Sequence, residues 1–173
     1  IACSMLILLF IRHELSFDKF NTHYDRIYRI ILDGKIGETE LKGAYTPAPL
    51  AKTLQVDFPE VENAVRMDRW REVLFRIEDR RFVEENVMFA DSSFFDIFSI
   101  PLIHGDSKMA LAEPYKVVLT RETAARFFGN EDPLGKHLRI NSDTNLYTIT
   151  GVMEDVPENS HFEFNILISF LSH

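Results

Sequence analysis

Residues 1–11 read IACSMLILLFI, an uncharged run in which Ser4 is the one strongly polar side chain. It constrains the fold more than any other stretch, because such a run must be covered by lipid or by the chain's own core. As a helix it spans about 16 Å, roughly half the ~30 Å hydrocarbon core of a bilayer. The chain begins at Ile rather than Met, and a piece of a longer polypeptide is expected. Residues 1–13 are therefore read as the C-terminal part of a transmembrane helix, with Met5, Leu6, Ile7, Leu8, Leu9, Phe10 and Ile11 as the membrane segment. A buried core helix is the rival reading of a short apolar run. A secretory leader fits less well, since Arg12-His13-Glu14 supplies neither its basic region nor a small-residue cleavage site. The following flank mixes Arg12, Lys19 and Arg26 with Glu14, Asp18 and Asp25. It lacks the Lys/Arg excess of a cytoplasmic flank and leans to the non-cytoplasmic side.

Across all 173 residues, 19 basic against 27 acidic side chains leave a net charge of −8. A general nucleic-acid binder needs a basic stripe to release counterions, so nucleic acid is not expected as a partner. The lone Cys3 has no internal disulfide partner. With 46% apolar residues the chain can build a core without staples.

Past the apolar run, Ile27, Tyr28, Ile30, Ile31 and Leu32 predict a strand, turning at Asp33-Gly34 to Gly37. Thr46-Pro47 supplies a cap and a first-turn proline for a helix whose Leu50, Leu54 and Phe58 share a face, and Pro59 stops it. Val73, Phe75 and Ile77 alternate with Leu74, Arg76 and Glu78. An extended run from Phe82 through Val87 to Phe89 pairs back as a hairpin. Asp91-Ser92-Ser93 precede a short helix carrying Phe94, Phe95, Ile97 and Phe98, ended by Pro101 and Gly105. This aromatic cluster is expected to be a core plug rather than a ligand pocket. Lys116–Leu119 forms a strand, and Thr120 caps a helix in which Ala124, Phe127 and Phe128 share a face, closed by Gly129. Strands follow at His137–Ile140 and at Tyr147–Val152, which contains Gly151, and Phe162–Phe170 is extended. Strands interleaved with few helices define an α+β class.

Catalytic patterns fail one after another. Gly129 to Lys136 has five residues between its glycines and His137 after the lysine, where a P-loop requires four and then Ser or Thr. His13-Glu14 begins like a zinc helix, but Phe17 occupies the second ligand position. His13, His23, His104, His137, His161 and His173 are scattered without ligand spacing. No G-x-S-x-G elbow is present. Glu84 and Glu85 would point to opposite faces of a strand. No catalytic residue, metal or cofactor is expected.

Three segments together resemble the periplasmic core domain of MacB/FtsX-like ABC transporter permeases, particularly the long permeases of Bacteroidetes. They are ELSFDKFNTHYDRIYRI (14–30), TPAPLAKTLQVDFPEVENAVR (46–66), and a third set comprising ADSSFFDIFSIPLIHGD (90–106), VVLTRETAARFFGNEDPLGKHLRI (117–140) and YTITGVMEDVPENSHFEF (147–164). The block Phe128, Gly129, Asp132, Pro133, Gly135 and Lys136 is the most specific. Its glycines end a helix and aim a strand while Asp132-Pro133 preset a turn, a structural role; Gly151 is placed with it as a structural position.

The resemblance implies a Porter-like αβ element at 14–66, an inserted β-rich Sabre-like lobe at 67–164, and the start of a return segment at 165–173, with the domain truncated there. It further implies a bacterial inner-membrane protein with residues after about 13 in the periplasm. It implies a cognate cytosolic ABC ATPase, a second permease copy or subunit, lipid around the N-terminal helix, and a periplasmic partner protein. The expected function is non-enzymatic: to carry ATP-driven helix motion to the periplasm for export, lipoprotein release or signalling. A membrane-anchored periplasmic enzyme or ligand-binding domain is the alternative. A self-contained interaction module, its apolar helix packed into its own core, is a third possibility.

Overall fold

Two runs, VMFA at 87–90 and ILIS at 166–169, are buried at every position. A strand apolar on both faces must lie inside a sheet covered on both sides, and the computed structural model, which describes residues 2–173, places them so. The elements in chain order are α1 (Ala2–Glu14), β1 (Leu32–Ile36), β2 (Thr39–Gly43), α2 (Leu50–Asp57), β3 (Met67–Trp70), β4 (Val73–Ile77), β5 (Arg80–Glu84), β6 (Val87–Ala90), α3 (Phe94–Ile97), β7 (Leu102–Gly105), β8 (Lys116–Thr120), α4 (Arg121–Phe128), β9 (His137–Ile140), β10 (Tyr147–Met153) and β11 (Ile166–Ser169). Single 3₁₀ turns lie at Tyr24–Arg26 and Phe170–Ser172.

Nine strands form one sheet in the order β3-β6-β11-β8-β10-β9-β4-β5, with β7 also paired to β10. Successive residues of the central strands feed two cores. Val87, Phe89, Val117, Leu119, Ile166 and Ile168 join Phe127 and Phe128 of α4 on one face. Met88, Ala90, Val118 and Leu167 join Phe94, Phe98 and Phe164 on the other. The expected aromatic plug is thus the second core: Phe94 is fully buried and touches Phe95, Phe98 and Phe164 edge-on or tilted.

Thr120 accepts from the Thr123 amide at 3.3 Å, and the amide of Gly129 (φ 64°, ψ −119°) closes α4 on Ala125 O at 2.7 Å. That ψ lies outside the left-handed helical basin expected for a helix end and matches the first central position of a II′ turn. Strand β10 bulges at Thr150, whose hydroxyl bonds Ala110 O at 2.6 Å, and it divides one edge between β9 (147–148) and β7 (151–153).

Several boundaries differ from expectation. The strand expected at 27–32 begins only at Leu32 and runs through Asp33-Gly34, with the reversal at Gly37 (φ 63°). Among the described residues no strand pairs with 27–31, where Tyr28, Ile30 and Ile31 are exposed. Helix α2 starts at Leu50 rather than Pro47, the residues between closing a single turn through Leu50 N to Pro47 O at 3.0 Å; it ends at Phe58 as expected. The hairpin pairs only β4 with β5. The run to Phe89 breaks at Glu85-Asn86, and β6 lies near the far end of the sheet. Strand β7 was not anticipated, and the final extended segment narrows to β11, which lies mid-sheet between β6 and β8.

Candidate functional site

Helix α1 leaves Met5 to Ile11 between 45% and 66% exposed. These side chains join neither core, which goes against the rival reading of a helix packed into its own protein. Among the described residues no helix is long and apolar enough to cross a membrane. What the sequence did not reveal is how this helix is fastened to the sheet.

The helix closes through Leu15 N to Ile11 O and Ser16 N to His13 O, both 2.9 Å. Asp18 then adopts a left-handed conformation (φ 56°) that turns the chain back onto the body. Its amide donates to Asn159 O at 2.9 Å, and the Asn159 side chain donates to Ser16 O at 2.9 Å. The Asp18 carboxylate accepts from the His161 amide at 3.0 Å and lies 2.7 Å from His161 Nδ1. Three residues on, buried Asn21 accepts from Ser99 N at 2.9 Å and donates to Asp18 O at 3.1 Å. Thr22 N donates to Ser99 Oγ at 2.9 Å. Phe17 packs between His13, edge-on, and His161, tilted, at 5.4 and 4.9 Å between ring centres, while Phe20 and Ile27 pack on the second core.

The end of α1 is therefore latched at two separate places, the loop before β11 and the bend before β7. Each hydrogen bond is worth only about 0.5–1.5 kcal/mol net, but together with the aromatic contacts they hold the segment after α1 against the body of the domain. A second fastening holds the next segment. Arg66 grips Asp91 through Nε at 2.9 Å and Nη2 at 2.7 Å, which raises the guanidinium pKa above its ordinary value.

The Phe128–Lys136 block lies elsewhere, at the end of α4. Buried Phe128 sits 4.9 Å beneath Lys136 Nζ, and Lys136 pairs with Glu131. Hydrogen bonding from Lys136 and its charge hold the Glu131 carboxyl below the usual range. Asp132 Oδ1 accepts from Leu134 N at 3.0 Å and Pro133 is buried. Gly135 N donates to Ile149 O at 2.8 Å, so the block docks on β10. Gly151 faces Gly105 across β7 and β10, and a Cβ on Gly105 (φ 104°) would stand 2.4 Å from Thr150 O. These residues form turns and close approaches.

Among the described residues no group of His, Cys, Asp or Glu could hold a metal. A shallow cleft of about 300 Å³ runs past Asp68, Trp70, Phe89, Tyr147 and His173. Burial, followed by a hydrogen bond to Asp143 at 2.8 Å, pushes the Tyr147 phenol upward. The residues of the latch all lie in segments 14–30, 90–106 and 147–164. Those stretches were legible as familiar, but nothing in their spacing shows that they touch.

The chain belongs to the MacB-like periplasmic core domain family, whose model matches residues 1–172. Its structure is similar to a crystal structure of a domain assigned to a permease protein from Porphyromonas gingivalis. The TM-score is 0.67 at 28% identity, covering 76% of this chain and 55% of that one. It also shares its fold with the periplasmic region of MacB from Actinobacillus actinomycetemcomitans, with TM-score 0.50 at 19% identity over 70% and 54% of the two chains. The chain thus spans about half the length of the solved relatives it matches. No curated protein matches it in sequence.

Proposed function

We propose that this domain works as a mechanical relay in the inner membrane, with residues after about 13 in the periplasm. Helix α1 carries motion driven by a cytosolic ABC ATPase, and the nine-stranded sheet delivers it to the periplasm for export, lipoprotein release or signalling. Lipid surrounds the apolar side chains from Met5 to Ile11, and a second permease copy or subunit completes the assembly. In this scheme residues 14–66 form a first Porter-like element, 67–164 the inserted Sabre-like lobe and 165–173 the start of a return segment.

The observation that supports the relay is the double latch at Ser16, Asp18, Asn21 and Thr22. A lever transmits tilt only if it is fixed at more than one point, and the two anchoring loops lead directly into strands β7 and β11. The test is an uncoupling variant in the intact permease with its ATPase. Asp18→Ala combined with Asn159→Ala is expected to leave ATP hydrolysis running while periplasmic output falls. Full output in that variant would remove the latch from the mechanism.

A further inference from the structure

The outer face of the sheet's β5 end carries an arrangement with no role in the core or the latch. In register, Arg139 of β9 stands directly opposite Arg76 of β4, which stands directly opposite Arg81 of β5. Directly opposed residues point to the same face, so three guanidinium groups form one row across three strands. Like charges at opposed positions destabilise a sheet. Among the described residues none of the three is in a salt bridge, and Arg76 Nε is buried without a hydrogen-bond partner. In a chain of net charge −8 such a row is a local exception. Charges on an edge strand commonly guard it against association. That accounts for Arg81 and for the inward Glu84, which lies 2.8 Å from Arg126 Nη2, but Arg76 and Arg139 lie on interior strands that need no guard.

We propose that this row and the open edge of β5 bind an extended acidic segment of a protein partner. Strand β5 ends the sheet, with one side unpaired. Arg81 and the 65%-exposed Val83 occupy the same face two residues apart. A strand added along this edge would present alternate side chains to that face. The sequence it fits is an acidic residue, any residue, then an aliphatic one. The carboxylate lies over the arginine row, where charge-assisted bonds from the exposed guanidinium groups of Arg81 and Arg139 offset the opposed charges, and the aliphatic side chain covers Val83. This concerns what the domain touches and stands apart from the relay, since binding requires neither nucleotide nor ATPase.

The test titrates the full 173-residue chain in a zwitterionic detergent with a peptide of alternating glutamate and valine, following backbone amide shifts by NMR at low salt. Saturable shifts at Arg80 to Glu84, absent when lysine replaces glutamate in the peptide, are expected. Arg81→Glu and Arg139→Glu should each weaken binding by about tenfold or more. Arg139→Gln should bind more weakly yet unfold at no lower temperature than the parent, since it relieves repulsion; this separates a binding role from a folding defect. No saturable shift, or affinity unchanged in both charge reversals, overturns the proposal. So does inorganic phosphate or a phosphatidylglycerol vesicle that displaces the peptide at matched charge, which would make the row a phosphate site.

Discussion

Gly105 shows how one side chain's absence sets a strand position. Its φ of 104° and the 2.4 Å approach to Thr150 O leave no room for a Cβ. Gly105→Ala is expected to destabilise the domain by about 1–3 kcal/mol, read by urea unfolding, because the overlap is with backbone and cannot be relieved by a rotamer change. Asp143 sets an acid-side dependence. The Asn145 amide, then the Tyr147 hydroxyl, hold its carboxyl below the ordinary value. A carboxylate depressed in the folded state stabilises it above the unfolded pKa of about 3.9, and that contribution is lost as pH falls through the lower folded value. Asp143→Asn should therefore flatten the acid limb of the Tm–pH curve below about pH 4 and leave its shape at neutral pH unchanged.

At the scale of elements, the sequence was most legible where local chemistry and packing agreed. Helix α4 was readable because Thr120, the apolar face of Ala124, Phe127 and Phe128, and Gly129 all specify the same eight residues. Thr120→Ala is expected to cost about 1–2 kcal/mol in chemical denaturation, since it removes the cap and leaves buried Thr123 without its 3.0 Å partner. In segment 27–31 the β-branched composition favours an extended chain but cannot supply a neighbour to pair with. Strand β7 escaped notice because its LIHG sequence gains meaning only beside Gly151 of β10. The latch was hidden for the same reason. Its bonds join residues 143 positions apart between Asp18 and His161 and 78 apart between Asn21 and Ser99, and no local pattern encodes such pairings. Asn21→Ala, which leaves the Ser99 amide without its buried acceptor, should lower stability by about 1–3 kcal/mol and speed hydrogen exchange at Ser99.

For the molecule as a whole, the sheet and its two cores form a body that α1 enters at one corner. Neither core includes any residue before Phe20. Removing residues 1–11 is therefore expected to shift Tm by no more than about 2 °C and to reduce aggregation; loss of the folding transition would mean that the helix is structural. The proposed relay requires α1 and the sheet to move as one piece. It is tested most directly by spin labels at Ile11→Cys and Ser107→Cys in an otherwise cysteine-free permease, embedded in bilayers with its ATPase. The helix-to-sheet distance should stay the same with and without ATP while the distance from Ser107→Cys to its counterpart in a second copy changes. A helix-to-sheet distance that shifts with nucleotide while the sheets keep their separation would contradict a rigid relay.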